Sequence, residues 1–168
     1  QNENDVNLEK IQKNYIGGAA MKLYAEGLCK FYSSRCDTKF SVLRHTNCIG
    51  PYDKFDPTLS HVFASVIMKT NNKKETVEVW GDGSEGRDFL YITDLTDLIL
   101  TLIDNQKDTF ELLCVGSSRI IKIRDLYSLV LKERKIEKKL LFDTSKPSIP
   151  VTICLSHEKA KNKYGWRP

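Results

Sequence analysis

The chain has 168 residues, 40% hydrophobic and 29% charged, with a formal net charge of +4 and five cysteines. That is the composition of an ordinary globular protein with one real core; no run is long enough to cross a bilayer, and the polar opening QNENDVNLEKIQKN lacks an apolar targeting segment, so a cytoplasmic protein with no membrane role is expected. The modest positive charge suits an anionic small molecule better than nucleic acid, because the basic runs KTNNKK and LKERKIEKKL are broken by Asn and Glu, lack aromatics, and read as solvated helix faces.

After the polar lead, NYIGGAAMKLYAEGLCKFY predicts a helix from about residue 18 to 34. Lys22, Glu26 and Lys30 share one side of it, while Met21, Leu28 and Phe31 form an apolar stripe on another. KFSVLRHT gives a short strand over 39–46, stopped by Asn47 and the Gly50-Pro51 turn. DPTLSHVFASVIMKT opens with helix-start residues, and Leu59, Val62, Phe63, Val66 and Ile67 then repeat at helical spacing, which sets His61 in a first turn. TVEVWGDGSEGRDFLYI reads as strand, glycine-rich connection, strand, and TDLTDLILTLI as a helix capped by Thr93 or Asp94. TFELLCVG is a buried-type strand, IKIRDLYSLVLKERK an amphipathic helix, KLLFDTS a strand and SHEKAKNKYGW a short terminal helix. Strands alternating with helices imply an α/β layered fold with a largely parallel sheet. There is no glycine-rich strand-to-helix fingerprint of the G-x-G-x-x-G type, and the abrupt finish at YGWRP suggests a piece of something longer.

The five cysteines, at 29, 36, 48, 114 and 154, show no CxxC or Cys/His spacing, so reduced thiols and no structural metal are expected. Lys22 is either a solvated helix former or half of a proton-transfer pair, and the position one turn before it is Gly18. Arg87 could grip phosphate through its planar fork, or it could answer Asp82, Glu85 or Asp88 across its loop. Trp80 could line a pocket or merely end a strand.

KLYAE, VLRHTNCIGPYDKFDP, WGDGSEGRDFLYITDL and FDTSKP, in that order, together resemble the extended short-chain dehydrogenase/reductase family, the NAD(P)-dependent nucleotide-sugar epimerases and dehydratases. The resemblance is greatest to its GDP-L-fucose-synthase-like members. It implies that residues 1–168 are the C-terminal, substrate-binding part of an NAD(P)-binding Rossmann-like fold with its small subdomain, the dinucleotide half lying upstream. It further implies NADP or NAD as cofactor, a nucleotide-diphosphate sugar as substrate, GDP-linked ahead of UDP- or dTDP-linked, and a homodimer formed through the 18–34 helix. Lys22 takes the place of the lysine in the family's Tyr-x-x-x-Lys signature, where it holds the cofactor ribose, with His45 a further cofactor contact. Gly18 stands where the signature has tyrosine, which makes Tyr15 the candidate substitute acid. His61, fourteen residues after Asn47, matches the acid or base of the epimerisation, and imidazole, titrating at about 6.5, suits that task. Asn47, Arg87, Trp80 and Lys69 match substrate-binding positions. One departure bears on the nucleotide: PVTICL stands where a basic residue is expected after DTSKP. A non-catalytic sugar-nucleotide-binding or dimerisation module is the alternative.

Overall fold

In the computed structural model, residues 1–6, 11, 13–149 and 151–168 are described. A 3-10 turn, Lys13–Tyr15, leads into α1, Ile16–Ser33, which starts two residues earlier than its glycines suggest. Strand β1, Phe40–His45, lies parallel to β6, Phe110–Val115, with Phe40 opposite Phe110 and His45 opposite Val115. Asn47 does not end the strand region: it begins β2, Asn47–Ile49, parallel to β5, Phe89–Tyr91. Thr46 makes the step between the two strands, its backbone N–H donating to Val115 and its hydroxyl to the Asp88 carbonyl. Strand β3, Thr76–Trp80, pairs in parallel with β8, Lys139–Asp143. Strands β4, Gly86–Arg87, and β7, Ile121–Lys122, make a short antiparallel pair. The parallel α/β architecture expected from the sequence is therefore present, and β1 pairs with β6 alone among the described residues.

Two apolar clusters divide the core. The first joins Leu90, Leu95, Leu98, Leu102, Leu113, Val115, Ala160 and Trp166, packing α3, Ile92–Asn105, and α5, Glu158–Tyr164, against β5 and β6. The second joins Val66, Val77, Val79, Ile123, Leu126, Tyr127 and Val130, packing α2, Val62–Thr70, and α4, Ile123–Glu133, against β3. In α4 the buried positions 123, 126, 127, 130 and 131 follow helical periodicity, so one face is apolar and the other free for charge. Gly165, at φ +70°, ends α5 in the left-handed conformation that glycine adopts without steric cost. Behind it the Trp166 indole is buried and donates to the Asp94 carbonyl at 2.9 Å.

Several local expectations differ from what forms. Thr93 and Asp94 lie inside α3; Tyr91 is the N-cap residue and contributes no side-chain cap bond. The Asp-Pro-Thr opening does not start α2 either, because Asp56 caps a separate turn, accepting from the N–H groups of Thr58 and Leu59. The helix therefore begins at Val62, and His61 becomes its N-cap rather than a first-turn residue. The basic run LKERKIEKKL is not one helix face: it spans the end of α4, a turn with Lys135 at φ +54° and the start of β8. No described helix is long and apolar enough to cross a membrane.

Candidate active site

The loop from β3 to β5 is built around its carbonyl groups. The first turn of α4 has backbone donors with no intrahelical partner, and the loop supplies acceptors for them: Ile123 N–H donates to Glu85 O and Arg124 N–H to Gly83 O, both at 3.0 Å. The Arg124 guanidinium adds a bond to Asp82 O at 2.9 Å. Asp82 closes the tip by accepting from the Ser84 N–H and hydroxyl, and those bonds lower its pKa. Gly81-Asp82-Gly83-Ser84-Glu85-Gly86 thus carries the literal G-x-G-x-x-G spacing, yet it joins strand to strand and aims its carbonyls at α4. It is not a pyrophosphate cradle, which needs backbone N–H groups at a helix N-terminus.

Arg87 pairs with none of Asp82, Glu85 or Asp88 among the described residues. Its guanidinium instead donates to the carbonyls of Gly86 at 2.9 Å, Ile149 at 3.0 Å and Val151. This draws the segment after β8 over the loop and closes one wall of a cleft of about 330 Å³. Lys69, Trp80, Arg87 and Ser148 line it, Glu85 reaches it from beneath Gly81, and Val79, Ile123 and Tyr127 of the second core make its floor. Burial and the Glu78 carboxylate push the Tyr127 phenol up to about 12, so the floor stays uncharged. Lys69 Nζ stands 4.7 Å from the Trp80 ring centroid, and burial lowers its pKa. The cleft thus collects a cation over an indole, a guanidinium held by carbonyls, a hydroxyl-bearing wall and one carboxylate.

The structure brings Lys69, Trp80 and Arg87 together and sets other expected residues nearby. His61 is exposed at the N-cap of α2, without a side-chain cap bond, between Ser60 and Val62, which both line the cleft. Asn47 does not line it; its amide donates to the Asp88 carbonyl at 3.0 Å, so it is tied to the residue following Arg87. Asp88 is fully buried, its carboxylate accepting from the Ser117 and Leu155 N–H groups. Tyr15 lies at the head of α1 and lines a different cavity, about 360 Å³, with Arg44, Cys114 and Val151. Lys22 is exposed on α1. One turn later Glu26 pairs with Arg44 at 2.6 Å, while His45, at the end of β1, turns its Nδ1 to the Thr46 carbonyl at 2.8 Å. Strand alternation puts Arg44 and His45 on opposite faces of β1. A Cβ added at Gly18 would meet nothing within 4 Å.

Residues 14–116 match the NAD dependent epimerase/dehydratase family. The chain belongs to that family. It is similar to a GDP-L-fucose synthase of Sinorhizobium fredii, at 34% identity over 154 residues, 89% of this chain and 48% of the relative. A GDP-L-colitose synthase of Yersinia pseudotuberculosis is 32% identical over 163 residues, 94% of this chain and 52% of the relative. Among solved structures, RMD from Pseudomonas aeruginosa complexed with NADPH superposes with a TM-score of 0.71 at 28% identity, covering 89% of this chain and 49% of that one. This epimerase/dehydratase-family chain therefore spans about half the length of the curated relatives it matches. Its fold is Rossmann-type α/β, and its residues fit only part of what a dinucleotide needs: Lys22 and His45 are exposed, but no pyrophosphate cradle accompanies them among the described residues.

In the sequence Glu85 and Asp88 stand out only as possible partners of Arg87. Glu85 lies in the cleft and Asp88 is a buried hub, and neither role has a local signal in the sequence.

Proposed function

We propose that the polypeptide to which this chain belongs is an NAD(P)-dependent nucleotide-sugar epimerase/reductase acting on a GDP-linked keto-deoxy sugar. This chain is its substrate-binding half, working in the cytoplasm with NADP or NAD held mostly elsewhere. The observation that carries the reading is the single cleft lined by Lys69, Trp80 and Arg87. Two cations there neutralise a diphosphate, and the indole offers an apolar face. Similarity to a GDP-L-fucose synthase and a GDP-L-colitose synthase supports the GDP-sugar class. Asn47, joined to the Arg87 strand through Asp88, helps to place the sugar. His61, beside the rim and free of any cap bond, takes and returns the proton on a ring carbon next to a keto group, where the carbonyl makes the C–H acidic. Lys22 and His45 face the cofactor side, and Tyr15 is the candidate acid in place of the missing signature tyrosine.

Gly18 favours a second reading: a module that binds sugar nucleotide without turnover and assembles as a homodimer through α1, whose Met21, Tyr24 and Phe31 are exposed. Cofactor oxidation measured with GDP-4-keto-6-deoxymannose, on a polypeptide that includes a dinucleotide half, separates the two. Turnover abolished by His61→Ala supports the enzyme; tight sugar-nucleotide binding with no turnover supports the module.

A further inference from the structure

Glu85 is only 8% exposed, and its Oε2 is enclosed with no hydrogen-bond partner among the described residues. It lines the cleft beside Lys69 and Arg87, yet neither cation pairs with it. Lys69 directs its ammonium to the Glu78 carbonyl at 3.3 Å and to the face of Trp80. Arg87 gives its guanidinium to three backbone carbonyls. The Glu85 main chain is fixed by the Ile123 N–H, which donates to its carbonyl at 3.0 Å. Gly81 crosses directly over it at φ +74°; a Cβ there would stand 3.2 Å from Glu85 Oε1 and 2.8 Å from Ser148 Cβ. A left-handed glycine thus leaves room for an acceptor that nothing among the described residues satisfies. Such an acceptor is destabilising until a donor arrives.

We propose that Glu85 is a specificity-determining residue of the cleft, accepting hydrogen bonds from a pair of adjacent neutral N–H or O–H donors on the molecule whose anionic part rests at Arg87 and Lys69. The inference rests on the reading of the cleft as a sugar-nucleotide site. Three parts of such a molecule carry a donor pair: the N1–H and 2-amino edge of guanine, the 2′,3′-diol of the ribose, and a vicinal diol of the appended sugar. Uracil and thymine present one N–H between two carbonyl oxygens, which a carboxylate repels.

Calorimetric titration of the chain with GDP, inosine diphosphate, UDP and GDP-mannose, in the wild type and in Glu85→Gln, tests this. Glu85→Gln is expected to weaken binding about ten- to hundredfold for the ligands that carry the pair. Loss for both GDP and GDP-mannose, with inosine diphosphate already weak in the wild type, assigns the guanine edge. Loss for GDP-mannose alone assigns the diol of the appended sugar, and an equal loss for all four ligands assigns the ribose diol. In the free chain Glu85→Gln should leave the Tm unchanged or raise it, because an unsatisfied charge is removed; a structural carboxylate would lower it. Glu85→Asp, which keeps the charge but withdraws the oxygens, should give an intermediate loss. Equal affinities in wild type and both variants overturn the role of Glu85 while leaving the sugar-nucleotide reading intact. A wild type that binds none of the four ligands overturns both.

Discussion

Lys69 Nζ stands 4.7 Å from the centroid of the Trp80 indole while donating to the Glu78 carbonyl at 3.3 Å. The pair links the end of α2 to the end of β3 and fixes a cation at one wall of the cleft. Burial lowers the Lys69 pKa, so the folded chain releases this proton at lower pH than a free lysine does. Binding of a nucleoside diphosphate should therefore weaken as pH rises through that lowered value, ahead of the ordinary lysine range near about 10.4. For stability the sign is opposite: the penalty of burying the ammonium is present at neutral pH and is relieved as the lysine deprotonates. Titration of GDP between about pH 7 and about pH 9, before the guanine N1–H itself ionises, checks this, and Lys69→Arg, which stays protonated, should flatten the decline.

Arg87 holds residues on both sides of the cleft through the Gly86, Ile149 and Val151 carbonyls. A lysine ammonium lacks the planar fork that spans them. Arg87→Lys should cost about 1–3 kcal/mol in denaturant unfolding. It should also speed hydrogen exchange at Val151 and Leu155 before it affects α3, because the segment after β8 loses its anchor.

The terminal helix is held by charge. Glu111 is 2% exposed and accepts from Lys159 at 2.8 Å, from the Tyr164 hydroxyl at 2.8 Å and from Lys163. Desolvation alone would raise its pKa, but the bonds from Lys159, Lys163 and Tyr164 outweigh that and leave it lowered. Its contribution is therefore present above the unfolded carboxylate value of about 4.3 and is lost as pH falls through the lower folded value. Lys163 is raised by Asp108 and Glu111, so its share is complete below the unfolded lysine value and is lost as pH rises through the folded one. Glu111→Gln should destabilise the chain by about 2 kcal/mol at neutral pH and blunt its acid transition. Trp166 fluorescence reports both effects, since that indole is buried against α5 and α3.

Gly18 lies within α1 with open space around its Cβ direction. Gly18→Tyr should fold and should raise stability by several tenths of a kcal/mol in thermal unfolding, because glycine is a poor residue for a helix interior. In a polypeptide that includes a dinucleotide half, the same change should raise turnover if the absent phenol limits it. No gain in turnover, with the helix intact, would favour the binding module.

The elements were legible because each is governed by neighbours in the sequence. The 123, 126, 127, 130 periodicity fixed α4, and the apolar run FELLCV made β6. The boundaries were less so. The Asp-Pro-Thr opening carries a helix-start signal, but Asp56 spends its carboxylate on its own turn, and the helix begins at Val62. Asn47 reads as a strand stop, yet pairing with β5, forty-two residues away in register with Phe89, makes it a strand residue.

By itself the sequence determined the α/β class and the family, and it singled out Lys69, Trp80 and Arg87, which share one cleft, because periodicity and ordered motifs are properties of the chain read along its length. Only the tertiary structure decided how those residues are used. Arg87 had three acidic neighbours in its loop and bonds instead to carbonyls more than sixty residues away. Glu85 had two cations within its cleft and pairs with neither. The physical reason is that a polar side chain takes its partners from the surface it is folded against, and that surface is assembled from segments distant in the chain.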